Sequence, residues 1–245
     1  MKFRGIDLLV CALTLLLLSV AIVQGIPSGS DTLTVGKSER AANNTPKSTV
    51  ALAGNVTALD LTGRSVTKYW QGYFGNITGT VVLADSSNYT LYEWATADPQ
   101  AEIYAARTQS INWINSIDCA NLTTIEIEDN TTLGVNQTAD VDTVNKTFDR
   151  TDHPALLVGG NPTPISGCRS TSVNHSGTGN GYYEVLLQDN NSGTIIYTAY
   201  VPQGNYTGFD GGQHDFQMLV AEKGNGAEEY PNGGTTTYFF FVELG

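Results

Sequence analysis

The sequence predicts a mainly β protein: an antiparallel β-sandwich with one or two short helices, preceded by an N-terminal hydrophobic signal or helix. Short apolar stretches, many of them alternating and rich in β-branched and aromatic residues, recur along the 245 residues. Clusters of Gly, Asn, Asp and Ser separate these stretches and are typical of turns. We therefore divide the chain into an N-terminal segment (1–25), a flexible linker (26–48) and a β-sandwich surface domain (49–245).

The N-terminal segment has the features of a secretory signal peptide. A basic start is followed by an uncharged apolar run of 16 residues from Leu8 to Val23, and cleavage is predicted after Gly25. Two alternatives remain open. Cleavage after Gly5, as in archaeal type IV pilin-like precursors, would leave the run as an assembly helix, and an uncleaved run would anchor the protein in a membrane.

The linker is predicted because residues 26–48 are rich in Gly, Ser, Asn, Lys and Thr and contain few bulky apolar side chains. Residues 49–61 follow with a weak alternation of Val and Leu, which predicts a first strand or pair of strands. We interpret this stretch as a plain edge strand. The alternative is a donor strand that inserts into a neighbouring subunit and builds a filament.

Residues 69–83 are the densest cluster of aromatics, β-branched residues and glycines in the sequence. The glycines Gly72 and Gly75 allow large rings to pack against bare backbone. The apolar run 80–83, a turn at 85–88 and the alternating stretch 89–94 predict a β-hairpin.

The stretch Trp70-Gln-Gly-Tyr-Phe-Gly-Asn-Ile-Thr-Gly79 resembles a motif of uncharacterised archaeal secreted or cell-surface β-rich glycoprotein modules, Trp-x-Gly-aromatic-x-Gly-Asn-(Val/Ile)-Thr-Gly. Residues 119–123, 216–220 and 235–244 are similar to later parts of the same modules, so the resemblance runs from about Gly54 to Gly245. It implies a cell-surface context. It transfers no catalytic residue, because these modules have no assigned activity.

The other elements are predicted from the same alternation and spacing. Helical spacing of apolar residues predicts short helices over 123–133 and 138–148. The predicted strands cover 155–158, 182–187, 194–201, 215–220 and 235–244, with a hairpin turn at 189–193, and residues 101–113 are predicted as a strand or a bent pair of strands. Residues 238–242 are apolar on both faces and are therefore expected in the middle of a sheet.

The acidic charge excludes some partners. The formal net charge is −12, from 12 Lys+Arg against 24 Asp+Glu. Such a surface repels phosphate groups, so we predict no nucleic-acid partner and contact with a membrane only through an uncleaved N-terminal helix. The acidity is interpreted as keeping a secreted protein soluble, with cation binding as the alternative.

N-glycosylation is the strongest signal in the sequence. Asn-x-Ser/Thr occurs eleven times, and this repetition in a secreted chain is far more specific than a single match. The acceptors are Asn43, Asn55, Asn76, Asn88, Asn121, Asn130, Asn136, Asn145, Asn174, Asn190 and Asn205.

Beyond the N-terminal segment the chain holds two cysteines, Cys119 and Cys168, which we predict to form a disulfide in an oxidising compartment. We predict no metal and no cofactor, because no neighbouring His or Cys completes a ligand set. Residues 189–193 are interpreted as a hairpin turn and not as a calcium loop, since the closing glutamate of such a loop is missing.

No catalytic residue is predicted. The histidines His153, His175 and His214 lie in no recognised catalytic motif. We interpret His214 and the nearby Asp210 as part of a loop that bounds a strand, with a ligand cluster as the alternative. The acidic stretch 126–129 does not predict the two carboxylates across a cleft that glycoside hydrolysis needs.

The sequence thus predicts a non-enzymatic structural or interaction glycoprotein of an archaeal cell surface: a surface-layer, pilin-like or filament subunit. Its expected partners are other surface subunits, including copies of itself. The alternative is a secreted carbohydrate- or ligand-binding module, in which exposed aromatics would stack on sugars. The candidates are Trp70, Tyr73, Trp94 and Trp113, for which core packing is the default expectation because their surroundings are apolar.

Overall fold

The computed structural model describes residues 25–42, 44–95, 101–161, 163–174, 181–202, 204, 206–223 and 235–244. The predicted signal or N-terminal helix, the acceptors Asn43 and Asn205, and His175 lie outside these residues.

The described residues form antiparallel strands and a few short helical segments. The helical segments are α1 (Leu122–Ile127), a π-helix (Glu128–Leu133) that continues it, and α2 (Val144–Thr147). The strands are β1 (Ser28–Gly29), β2 (Trp70–Gly75), β3 (Thr80–Ala84), β4 (Thr90–Ala95), β5 (Ala101–Ala106), β6 (Ile117–Cys119), β7 (Ser170–Ser172), β8 (Tyr183–Asp189), β9 (Thr194–Tyr200), β10 (Tyr206–Thr207), β11 (Gln213–His214), β12 (Phe216–Ala221) and β13 (Phe239–Leu244).

The largest sheet has seven strands in the order β1-β13-β5-β9-β8, with β6 and β7 both pairing with β8. Three further pairs are β2 with β12, β3 with β4, and β10 with β11. All of these pairings are antiparallel. The mainly β, antiparallel class with short helices is therefore confirmed.

The hairpin of β8 and β9 is the centre of the large sheet. Both strands are buried along most of their length, because both faces of the sheet are covered at this point. Their connecting turn is held by Asp189, whose carboxylate accepts from the Ser116 hydroxyl at 2.5 Å and from the Asn191 N–H at 3.0 Å. The predicted hairpin turn at 189–193 is confirmed.

Successive residues of each central strand enter two different cores. In β5, Ile103 packs into the first core and Tyr104 into the second, as the alternation of a strand requires. The first core lies under β12, β2 and the helices, with Met218, Val220 and Phe148 among its members. The second core lies under loops, and its members outside the strands are Trp113, Leu156, Val158 and Cys168.

A buried carboxyl joins the two sheets across the first core. Glu184 of β8 is fully buried and accepts the N–H of Leu219 in β12 at 2.8 Å. Burial raises the pKa of this carboxyl well above its ordinary value. The small sheet of β2 and β12 thus packs on the large one, but it contributes only two strands, and helices cover the rest of this face. The two-sheet sandwich therefore stays a prediction.

Local capping explains the helical segments. Asn121 lies in extended backbone before α1, and its side chain accepts the Thr124 N–H. The π-helix ends at Gly134, whose φ of 71° suits glycine. The buried Asp129 carboxylate accepts the N–H groups of Val144 and Asn145, at 2.7 and 3.2 Å, at the start of α2. The two short helices predicted from apolar spacing are present, although the second is shorter than expected.

Three predicted strands differ from the structure. Residues 49–61 contain no strand, and 155–158 contain a single bridge, from Leu156 to Ile165. The strand predicted over 101–113 ends at Ala106. Each stretch is rich in apolar residues, but pairing needs a partner strand that the local pattern does not supply.

The last strand also differs from its predicted place. β13 has a neighbour on each side, β5 and the two-residue β1, so it lies one strand from the edge and not in the middle of the sheet. Its residues are mostly half-buried. β1 itself falls within the segment predicted to be a linker.

Candidate interaction surface

The four aromatic residues singled out in the sequence lie in three different environments. Trp113 is buried in the second core, with ring centroids 4.9 Å from Tyr104 and 5.2 Å from Phe241. Trp70 is half-buried, and its indole N–H donates to the Asp142 carbonyl at 2.7 Å. The other two, Tyr73 and Trp94, lie at the surface described next.

The β3–β4 hairpin is exposed on both faces, and we call it the exposed hairpin. The alternating residues Val81 and Val82 are 40% and 47% exposed, and Trp94 on the opposite strand is 49% exposed, with its ring 4.7 Å from that of Tyr92. A two-stranded hairpin is marginally stable in water unless a face is packed against something. Its exposed apolar residues therefore make it a candidate interaction surface.

The exposed hairpin continues directly from the β2–β12 sheet, which is covered only in part. Tyr73 of β2 is half-buried, with its ring edge-on to Phe240 of β13 at 5.2 Å. Ile77 and Leu244 are half-buried beside it at the rim of the first core. Among the described strands, β2 pairs with β12 and no other. Within the described part of the chain, one edge of β2 is therefore not paired with a strand, and half-buried apolar side chains of the first core lie near this sheet.

Residues 49–61 add a third exposed apolar element. Val50, Leu52 and Leu61 are 93%, 70% and 87% exposed, and Val56 and Leu59 also lie in solvent. A turn at Gly54, with φ of 91°, separates the two halves of this stretch. The apolar alternation of this stretch predicted a strand of the domain, whereas in the structure these residues form no strand.

In and beside the first core, several polar side chains form hydrogen bonds and an ion pair with one another. Arg107 Nη1 lies 2.5 Å from Glu128 Oε1, and Tyr197 donates to the same oxygen at 3.0 Å. Arg107 also donates to the Ala221 carbonyl at 2.7 Å and lies over the Tyr238 ring. Burial raises the pKa of Tyr197 well above its ordinary value. The contacts of this cluster are those of a structural network that holds β5, the π-helix and β12 together.

Two buried carboxyls face each other on the other side of the large sheet. Glu102 of β5 and Glu243 of β13 are opposite residues in the antiparallel register. Glu243 accepts from the Tyr104 hydroxyl at 2.7 Å and from the Gly159 N–H at 3.0 Å. Burial, and then the nearby Glu243, raise the pKa of Glu102 to about 8. The pair therefore retains a proton at neutral pH.

The two histidines within the described residues, His153 and His214, have structural partners. His153 Nε2 accepts the Cys168 N–H at 2.9 Å, and its Nδ1 lies 2.7 Å from the Pro154 carbonyl. His214 pairs with Asp210 at 2.9 Å. Among the described residues there is no group of three or more His, Cys, Asp or Glu side chains that could hold a metal ion.

The disulfide is confirmed. Cys119 at the end of β6 is bonded to Cys168 in the loop before β7, with the two Cα atoms 5.0 Å apart. The closed loop contains α1, the π-helix and α2. The bond therefore ties the helical layer to the edge of the large sheet.

The nine acceptor asparagines within the described residues lie at the surface or near it. Seven are exposed, namely Asn55, Asn76, Asn88, Asn121, Asn130, Asn136 and Asn190. Asn145 and Asn174 are half-buried, and the side-chain oxygen of Asn145 is itself buried. The side-chain oxygens of Asn121 and Asn136 accept backbone N–H groups, which fixes their amides without using the nitrogen that a glycan would join.

One groove of about 620 Å³ lies between α2, β7 and β12. Most of the residues that line it have polar side chains; they are Lys146, Thr147, Asp149, Arg150, Thr171, Ser172, Val173, Asn174 and Leu219. The groove lies apart from the exposed hairpin, and it contains none of the four aromatics that were predicted to face a ligand.

Comparison with known proteins adds no assignment. No family model matches the chain, and neither curated proteins nor solved structures show a significant match. The resemblance to archaeal surface modules therefore stays a prediction. In the described part of the chain, no helix has the length and apolarity needed to cross a membrane.

Proposed function

We propose that this protein is a non-enzymatic structural glycoprotein of an archaeal cell surface, a subunit of a surface layer, pilus-like fibre or other filament. The observation that carries the proposal is the exposed apolar surface of the hairpin and residues 49–61 on a disulfide-bonded β domain. Apolar side chains exposed together, as on the two strands of the exposed hairpin, are typical of sites that contact other proteins. The disulfide is compatible with an extracellular location.

The exposed acceptor asparagines support the same proposal. Glycans at these positions would shield much of the domain and leave subunit contacts to the surface between them. In this proposal the domain is a β-sandwich whose smaller sheet is incomplete in a single copy.

The decisive experiment is to isolate the native protein from its own cells. We expect ordered polymers by electron microscopy and an intact mass above that of the polypeptide, because several acceptors carry glycans. A start at Ile6 would indicate pilin-type processing, a start at Ile26 a cleaved signal peptide, and an intact Met1 a membrane anchor. A monomer with an unmodified mass contradicts the proposal.

The second candidate is a carbohydrate- or ligand-binding module, and the polar groove between α2 and β7 favours it. Its hydroxyl and amide side chains are the groups that hydrogen-bond sugars. A screen of the purified protein against an array of glycans tests this reading. Specific binding by a monomer, lost on Thr171→Val, would favour the module over the structural subunit.

A further inference from the structure

Residues 56–61 have the properties of a strand that lacks a sheet. They are described in full, contain no helix or strand, and expose Val56, Leu59 and Leu61 to solvent. The chain before them is held to the domain where Ser28 and Gly29 of β1 pair with β13. An extended apolar segment with unpaired backbone groups is a template for pairing with another strand.

The open edge of β2 is a matching acceptor. β2 is half of a two-stranded sheet that packs on a seven-stranded one. Tyr73 of β2, its ring partner Phe240 in β13, and Ile77 just after β2 are half-buried against the first core, so a strand added beside β2 is expected to cover them further. An added strand would form main-chain hydrogen bonds with the unpaired N–H and C=O groups of this edge. Side chains on one face of the added strand would pack on the half-buried apolar residues.

The segment that contains residues 56–61 and the domain that contains β2 carry net charges of opposite sign. Residues 26–68, which we call the arm, contain five Lys+Arg and three Asp+Glu, a net charge of +2. Residues 69–245 contain five Lys+Arg and twenty Asp+Glu, a net charge of −15. Two acidic domains repel each other, and a basic arm between them reduces that repulsion. The occupant of the β2 edge is therefore expected to be an arm.

We propose that residues 56–61 of one copy add as a strand to the open edge of β2 in a second copy. The inference rests on the proposed structural function, since it takes another copy of this chain as the partner. The contact is heterologous, because each copy offers both an arm and an edge. Such a contact repeats from copy to copy and builds a filament.

The first test changes the arm and leaves the domain intact. The double variant Val56→Asp, Leu59→Asp puts charges into the proposed strand, and Leu33→Asp, Val35→Asp is the matched control in the same arm. Both pairs are exposed, so both variants are expected to melt like the wild type. Light scattering over a range of concentrations should show wild type and control assembling, with association at least about tenfold weaker in the 56/59 variant.

Hydrogen exchange then locates the acceptor. Amides of β2 should be protected in the assembled wild type and unprotected in the 56/59 variant. Protection that appears only in the exposed hairpin would overturn the assignment to the β2 edge.

A mixture of two chains separates pairing between copies from folding back within one. The Val56→Cys chain is mixed with the Gln71→Cys chain, and the Val35→Cys chain with Gln71→Cys is the control. A disulfide-linked heterodimer in the first mixture and not in the second is the expected result. If the protein assembles but the first mixture forms no heterodimer, the proposed contact between residues 56–61 and β2 of another copy is wrong.

The outcomes also separate this inference from the proposed function. Polymers that form equally well in the 56/59 variant overturn the arm contact and leave the structural role in place. A wild-type protein that stays monomeric at every concentration overturns both.

Discussion

At the scale of single residues, two tryptophans with similar sequence surroundings have different roles. Trp70 packs its ring 6.0 Å from that of Phe148 and donates its indole N–H to the Asp142 carbonyl, whereas the ring of Trp94 lies against that of Tyr92 in the exposed hairpin. Both lie in apolar, strand-like sequence, so the local pattern does not distinguish them. The difference comes from what lies opposite each ring in the folded chain.

The two rings predict different stabilities for their alanine variants. Trp70→Ala should lower the free energy of unfolding of the monomer by about 3 kcal/mol, because it opens a cavity beside Phe148 and removes a hydrogen bond. Trp94→Ala should change it by less than about 0.5 kcal/mol. Chemical denaturation of both variants is the measurement, and equal losses would contradict the assignment.

Glu102 makes stability depend on pH. Its pKa is about 8 in the folded protein, against 4.5 for a free side chain, because of burial and then the facing Glu243. Between these two values the native state holds a proton that the unfolded chain has lost. The contribution of Glu102 to the free energy of unfolding should therefore be fully present below about pH 4.5. It should be lost as the pH rises towards 8, by up to about 1.4 kcal/mol per pH unit.

Calorimetry across this pH range tests the effect of Glu102. Glu102→Gln keeps a neutral, similarly shaped side chain and should flatten the decline in melting temperature. Glu93→Gln, on the exposed hairpin, is the matched control and should leave the profile as in the wild type. A Glu102→Gln profile that follows the wild type would show that another group controls the decline.

At the scale of elements, the disulfide organises the helical layer. It links the end of β6 to the loop before β7 across a sequence separation of 49 residues. Replacing Cys119 and Cys168 together by Ala should lower stability by about 4 kcal/mol, because the unfolded chain gains the entropy of that loop. Thermal unfolding of the double variant with the oxidised wild type as reference checks this. A loss below about 1 kcal/mol would contradict it.

The exposed hairpin shows the limit of local pattern at the element scale. Alternation and turn residues correctly predicted β3 and β4, and the β8–β9 hairpin was predicted on the same grounds. The first is exposed on both faces and the second is buried on both. A hairpin needs only its own residues to form its register, whereas its burial depends on which strands lie beside it.

At the scale of the whole molecule, the separation of a basic arm from an acidic domain is expected to control assembly. Salt screens both the attraction of the basic arm to a neighbouring domain and the repulsion between the two acidic domains, with a Debye length of about 3 Å at 1 M. Because residues 26–245 carry a net charge of −13, repulsion between copies dominates, and we expect association of the wild type to strengthen between low salt and roughly 1 M. Sedimentation at a series of salt concentrations measures this. Association that weakens steadily with salt would contradict this expectation and would indicate that the local attraction between arm and domain dominates.

Parts of the candidate surface were predictable and parts were not. The hairpin at residues 80–95, the disulfide partners and the acceptor asparagines follow from residue types and spacing. The open edge of β2 does not, because β2 pairs with β12, which lies about 140 residues further along the chain. Glu102 and Glu243 come together in the same way, through a pairing of distant strands.

The sequence by itself determined the antiparallel β class, the turns, the short helices and the charge, because each depends on neighbouring residues and their spacing. Only the tertiary structure decided which strands pair, which carboxyls are buried together, and that residues 49–61 pair with no strand among the described residues. The physical reason is that strand pairing and burial depend on contacts between distant residues. Alternation of apolar side chains records a tendency to pair, but it does not record the partner.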